Sequence, residues 1–130
     1  MPFELSVATE FSAAHFLRGY EGDCARLHGH NWRVRVFVLA NDLNSIGIAI
    51  DYKRLKQELK AALSDWDHYH LNEVPPFDTI NPSSENVARE LFHRMTDRLR
   101  GDGVEVSRVE IGETCATCVA YWESEGSKEY

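Results

Sequence analysis

Cysteine is scarce in this chain and odd in number: Cys24, Cys115 and Cys118 are the full set. The opening Met1-Pro2-Phe3-Glu4 lacks the charged-then-apolar pattern of a secretory leader. Together these exclude a disulfide-stapled secreted scaffold and predict reduced thiols in a cytoplasmic protein. No apolar run approaches the roughly 18 residues of a membrane span, so no membrane partner is expected. Basic residues are also few, 14 against 21 acidic, and the net charge of -7 is broken by no basic block. That excludes nucleic acid as the main partner. A small anionic substrate stays open, because charge inside a cleft can oppose the global sign. Internal repeats and low-complexity tracts are missing too. What is present is 130 residues, 43% hydrophobic and 27% charged, which predicts a single soluble domain over residues 1–130.

Alternation marks the first half. Phe3, Leu5, Val7, Thr9, Phe11, Ala13 and His15 share one parity, and His28, His30, Trp32, Val34, Val36 and Val38 share another. These read as two half-buried strands joined by a long loop over Arg18–Arg26, which carries Gly19 and Gly22. Asp51 is placed to cap a helix with the stripe Tyr52, Leu55, Leu59, Ala62, Leu63 and Trp66. Ser83 is placed to cap a second, with the stripe Val87, Ala88, Leu91, Met95 and Leu99, closed by Gly101. Residues 103–111 and 115–123 read as two further strands, the first with a parity break that a bulge or two-sided burial would explain. The order is ββααββ, an α+β fold with an antiparallel sheet and two helices on one face. Four strands alone leave two edges and a sheet face open, which predicts an oligomer.

His28-Gly29-His30 is the sharpest chemical signal. On a strand, residues two apart point to the same side, so two imidazoles can share an ion, with Gly29 expected to leave room beside them. If the first two strands pair, His15 comes opposite. Three neutral imidazoles without a fourth protein ligand describe a catalytic zinc site with one position for water or substrate. Cys24, four residues before His28, admits three readings: a thiolate base, a zinc ligand or a loop cysteine. Asp67-His68 is a carboxylate–imidazole pair suited to proton shuttling. His70 and His93 are given no role, with His93 on a solvated helix face. Glu113 reads from the residues alone as an exposed strand-end acid, and Cys115 and Cys118 as packing residues on opposite faces of a strand.

Cys24-Ala25-Arg26-Leu27-His28-Gly29-His30 resembles the C-x3-H-G-H motif of the 6-carboxy-5,6,7,8-tetrahydropterin synthases of queuosine (7-deazapurine) biosynthesis, relatives of the 6-pyruvoyl-tetrahydropterin synthases. The likeness extends over nearly the whole chain. Phe11-Ser12-Ala13-Ala14-His15, Ile48-Ala49-Ile50-Asp51-Tyr52, Asp67-His68 with Leu71-Asn72, Asn81-Pro82-Ser83-Ser84-Glu85-Asn86 and Glu113-Thr114 each resemble a family segment, in the family's order. Trp66 and Asn31 depart from it at positions next to the motifs. The resemblance implies a T-fold (tunnelling fold) whose sheets join into a trimeric barrel, stacked as a hexamer, with active sites shared between subunits. It implies that His15, His28 and His30 bind zinc and that Cys24, Asp67 and His68 transfer protons. Glu113 would anchor the pterin, with Ser83 and Ser84 near its ring. The reaction implied converts 7,8-dihydroneopterin triphosphate to the 6-carboxy product, releasing acetaldehyde and triphosphate. The three-residue gap between Cys24 and His28 favours the carboxy over the pyruvoyl type. A non-catalytic zinc or pterin-binding module is the rival from another class. A zinc hydrolase is disfavoured because no carboxylate base motif accompanies the histidines.

Overall fold

The computed structural model describes residues 1–124. Its frame is a hairpin of two 13-residue strands, β1 (Phe3–His15) and β2 (His28–Ala40), paired without interruption from Phe3 opposite Ala40 to His15 opposite His28. Alternation fixes the register, since a slip of one residue would turn every apolar side chain of the hairpin outward. Val7, Phe11, Ala13, Trp32, Val34, Val36 and Val38 therefore all face the core, while Asn31, Arg33 and Arg35 are exposed on the other face.

Two helices cover the apolar face. The first, α1 (Tyr52–Ala62), is capped by Asp51, whose side chain accepts from the Lys53 N–H at 2.8 Å. The second, α2 (Ser84–Arg98), is capped by Ser83, whose hydroxyl accepts from the Asn86 N–H at 3.2 Å. Both caps satisfy backbone donors that a helix start leaves without partners. Leu55, Leu59, Ala62, Leu63 and Trp66 are buried as their spacing requires, but Tyr52 is exposed. The stripe of α2 is buried throughout and is widened by Phe92. Neither helix is long and apolar enough to cross a membrane.

The sheet is mixed, which corrects the antiparallel expectation. Its order is β3-β1-β2-β4-β5, with β3 (Tyr69–His70) running parallel to β1 beside Ala13 and Ala14. Two residues carry too little periodicity to be seen in sequence. The predicted bulge is present in β4 (Val104–Gly112): Phe37 opposes Arg108 and Val38 opposes Val106, leaving Ser107 as the extra residue. That is how Val106 and Val109 are both buried despite opposite parity. The last strand, β5, is only Val119–Tyr121, not 115–123. Residues 113–118 instead form a turn, so Cys115 and Cys118 are not packed on a strand; both are exposed free thiols.

The loops after β1 and before α2 are tied together by amides. Asn72, buried, accepts from the Phe16 N–H at 2.9 Å and donates to the Phe16 carbonyl at 3.0 Å. Asn81 does the same for Arg18, at 2.9 and 3.0 Å. The Arg18 guanidinium adds bonds to the carbonyls of Ile80 and Phe77. Asn72→Ala removes both halves of one clamp and leaves two backbone groups without protein partners. The expected loss is about 2–3 kcal/mol, read as a lower urea midpoint with an unchanged slope.

Candidate active site

His15 ends β1, and His28 and His30 begin β2, so the hairpin register sets all three rings over one end of the sheet. Their ring centroids lie 4.6, 5.3 and 4.8 Å apart, and one nitrogen of each falls within 4.8 Å of the others. Among the described residues they are the one group of metal-ligating side chains so arranged; the Cys24 sulfur is not part of it. Trp32, fully buried, forms the floor. It meets His15 edge-on at 4.8 Å and His30 at 5.7 Å, stacks on Phe11, and donates its indole N–H to the Ala13 carbonyl at 3.2 Å.

The tautomers are set by the chain. His15 Nδ1 lies 2.7 Å from the Pro82 carbonyl and His28 Nδ1 lies 2.7 Å from the Arg26 carbonyl. A carbonyl oxygen only accepts, so each Nδ1 carries the proton and each Nε2 presents a lone pair. Burial pushes the His15 pKa down to about 4, against the bond to Pro82, with His28 and His30 lowering it further. Burial also lowers that of His30, opposed by the Glu113 carboxylate and helped by His28. Burial thus favours the neutral form of His15 and of His30, the form a ligand must take.

The Nε2 atoms of His15 and His30 are buried without any hydrogen-bond partner. Glu113 adds a carboxylate 3.5 Å from His30 Nε2 and 4.0 Å from His15 Nε2. A cation among these atoms would give partners to both orphaned nitrogens and a counter-charge to the carboxylate. The donor set therefore fits a metal ion, and all-nitrogen ligation from three histidines suits zinc. Glu113 itself is 25% exposed, so the reading of it as a free strand-end acid does not hold.

The remaining predicted residues divide. Cys24 sits half-buried in a short 3-10 turn (Asp23–Ala25), and its carbonyl accepts from the Leu17 N–H at 2.8 Å. That bond folds the loop back over the histidine end of the hairpin. Ser84 and Glu113 line one cavity of about 300 Å³ with Thr117 and Cys118, whereas Ser83 is committed to capping α2. Asp67 and His68 pair with each other at 3.0 Å, and Asp67 also accepts from the Ser12 N–H. The His68 side chain is 80% exposed, and it lines an open cavity together with His30. Gly29 is not needed for space, since an added Cβ would meet nothing nearer than the Ala13 carbonyl oxygen at 4.0 Å. The Pro82 and Arg26 carbonyls, being backbone, left no signal in the sequence, whereas the floor formed by Trp32 had one, its parity with the histidines.

Known proteins match this arrangement along most of their length. The profile described as 6-pyruvoyl tetrahydropterin synthase matches residues 4–124. The chain belongs to the 6-pyruvoyl tetrahydropterin synthase family. Within it, the chain is 35% identical over 118 residues to a 6-carboxy-5,6,7,8-tetrahydropterin synthase of Synechocystis, covering 86% of this chain and 87% of that one. It is 30% identical over 103 residues to a dihydroneopterin monophosphate aldolase of Pyrococcus furiosus, covering 79% and 82%. The solved 6-pyruvoyl tetrahydropterin synthase of Caenorhabditis elegans superposes with a TM-score of 0.84 at 28% identity, over 94% of this chain and 96% of that one. This family membership carries the T-fold architecture with it, and makes a lyase acting on a pterin the coarse expectation for the chain.

His15 has a pKa near 6.5 in the unfolded chain and about 4 in the folded one. As pH falls the unfolded chain takes the proton first, so His15 favours the fold fully above pH 6.5 and progressively less through the window down to 4. Metal-free protein is expected to lose on the order of 3 kcal/mol across that window from this residue. Denaturation midpoints of chelator-treated protein between pH 7 and 4 measure it, and His15→Gln should flatten the dependence.

Proposed function

We propose that this chain is a zinc-dependent 6-carboxy-5,6,7,8-tetrahydropterin synthase. It would convert 7,8-dihydroneopterin triphosphate to the 6-carboxy product with release of acetaldehyde and triphosphate, in queuosine biosynthesis. The observation that carries this reading is the convergence of three imidazoles with the Glu113 carboxylate beside them. The name of the Synechocystis relative and the three-residue gap between Cys24 and His28 support the carboxy over the pyruvoyl product.

His15, His28 and His30 would hold the ion through Nε2, and zinc bound there supplies Lewis-acid polarisation of the substrate's side-chain oxygens. Everything else falls to the chain. Glu113, at the rim of the cavity it shares with Ser84, would accept two N–H bonds from the amino-pyrimidine edge of the pterin. Ser83 and Ser84 would lie near the ring. Cys24 Sγ would take the proton removed beside the ring. Asp67 Oδ1 holds His68 at Nδ1, leaving His68 Nε2 to exchange protons with the side-chain hydroxyls.

Within one subunit the His68 side chain is 80% exposed and lines an open cavity that also reaches His30. The proposal places this pair in an assembly, a trimer or stacked hexamer, in which Asp67-His68 of one copy meets Cys24 and the histidines of another. The open edge of β1 along Phe3–Ser12, which pairs with no strand among the described residues outward from β2, supports such an arrangement. Three unpaired thiols accord with the reducing cytosol.

Incubation with 7,8-dihydroneopterin triphosphate should yield 6-carboxy-5,6,7,8-tetrahydropterin by mass spectrometry, with acetaldehyde in equal amount. A product keeping all its side-chain carbons, or an aldolase product, would assign the chain to another branch of the family. Cys24→Ala should lower turnover by roughly 10²–10⁴-fold while one zinc per chain is retained. Unchanged turnover would favour a non-catalytic binding module. Glu113→Ala should likewise keep the metal and weaken pterin binding; loss of zinc from it would make Glu113 a ligand instead of an anchor.

A further inference from the structure

We propose that Asn81 is a positioning residue for the metal centre: it anchors the Pro82 carbonyl against His15, and that anchor decides which nitrogen of His15 is offered to the ion and how tightly the ion is held. The inference rests on the metal reading of the three histidines and is independent of which pterin is the substrate.

Pro82 is buried, and its carbonyl oxygen lies 2.7 Å from Nδ1 of His15, which is 1% exposed. No sheet ladder fixes this carbonyl, because Pro82 lies in the loop before α2. Proline locks its own φ and restricts the residue before it, so the carbonyl follows the Asn81 backbone closely. Asn81 is held from two sides. Its side-chain oxygen accepts from the Arg18 N–H at 2.9 Å and its amide nitrogen donates to the Arg18 carbonyl at 3.0 Å. That is a two-point bond to the chain just beyond His15. The Asn81 carbonyl in turn accepts from the side-chain amide of Asn86 at 2.9 Å, in the first turn of α2. On the far side of Pro82, Ser83 is fixed as the cap of the same helix. The end of β1, Asn81 and the start of α2 thus form a frame, and the His15–Pro82 bond closes it.

A neutral imidazole carries its proton on one nitrogen or the other, and the choice follows the acceptor available to each. At His15 the carbonyl sits at Nδ1, so Nε2 keeps the lone pair that a metal needs. Nε2 has no hydrogen-bond partner of its own, and the Glu113 carboxylate 4.0 Å from it favours the opposite tautomer. The Pro82 carbonyl therefore decides the contest. Displaced, it would leave a buried N–H without an acceptor, and the proton would shift toward Nε2 and block the ion. His28 takes its acceptor from Arg26, by a path that does not pass through Asn81. The effect falls on one ligand of the three. Outer partners of metal-bound histidines are worth roughly 10–100-fold in metal affinity.

A second amide clamp in the same loop separates this role from simple bracing. Asn72 bridges both backbone groups of Phe16 at 2.9 and 3.0 Å, but it stands well before Pro82 in the chain and does not carry its carbonyl.

The test reads two quantities: zinc Kd, by competition with a chelator, and the His15 tautomer, by long-range proton–nitrogen NMR spectra of metal-free protein near neutral pH. Wild-type protein should show His15 protonated at Nδ1. Asn81→Ala should show protonation at His15 Nε2 with His28 unchanged, and its zinc Kd should rise roughly 10–100-fold. Asn72→Ala should lose stability yet keep the wild-type tautomer and nearly the wild-type zinc Kd. Asn86→Ala frees only the Asn81 carbonyl. It should move both readouts in the direction of Asn81→Ala but less far, and it carries the test should Asn81→Ala fail to fold. An unchanged His15 tautomer in the Asn81 and Asn86 variants would overturn the proposal. Equal losses of zinc affinity in Asn81→Ala and Asn72→Ala would also overturn it, by reducing Asn81 to a general brace. Should wild-type protein bind no zinc, the functional reading and the affinity half fall together, while the spectra still decide the tautomer.

Discussion

The structure depends on one constraint: three imidazoles are crowded together at the end of a hairpin and partly withdrawn from solvent. An uncompensated cluster of this kind is unfavourable. Its nitrogens are desolvated, two of them have no partner, and a carboxylate faces their lone pairs. The hairpin tolerates it because the cost is spread over a register of 13 paired residues in each strand. Backbone carbonyls of Pro82 and Arg26 take the Nδ1 protons, and Trp32 fills the space beneath. Burial then keeps His15 neutral far below the usual pH range of a histidine. Such a site is poised for a cation, and its shape is set before any ion arrives.

The loops serve that arrangement. Pro82 can accept from His15 only if the segment before α2 is fixed against the end of β1. Asn72 and Asn81 fix it by bridging both backbone groups of Phe16 and Arg18, and Asn86 reaches back to the Asn81 carbonyl at 2.9 Å. The same segment ends in the cap of α2, which buries Val87, Leu91 and Met95 against the sheet. Packing of α2 and orientation of a ligand ring are thereby one mechanical unit. The positions Leu71-Asn72 and Asn81 to Asn86, which in sequence only looked like those of a family, have a structural reason: amides clamp backbone that no ladder pairs.

A single subunit holds part of the chemistry the family membership leads one to expect. The Asp67-His68 pair is well formed but faces solvent, anchored through Ser12 on the edge of β1. The short flanking strands β3 and β5 blunt the sheet ends only locally, and the face bearing Arg33 and Arg35 carries no covering layer. These open features accord with the shared active sites proposed above.

Much was legible in sequence where a period was long. The long alternations gave β1 in full and β2 to within one residue, the stripes gave both helices with their caps, and the parity break left room for the bulge found at Ser107. Hence His15, His28 and His30 could be brought together on paper, because strand register is a local consequence of which side chains are apolar. Where the period was short, the reading failed: the two residues of β3 were missed, and β5 was drawn too long across the turn that holds Cys115 and Cys118. The sequence by itself determined the long strands, the helices with their caps and the meeting of three histidines that could hold a metal ion. Only tertiary structure decided that the Pro82 carbonyl meets His15, that Glu113 lies beside the rings and that Asp67 is tied to Ser12. The contacts of His15 with Pro82 and of Ser12 with Asp67 join residues more than fifty positions apart, and no local pattern records such a contact.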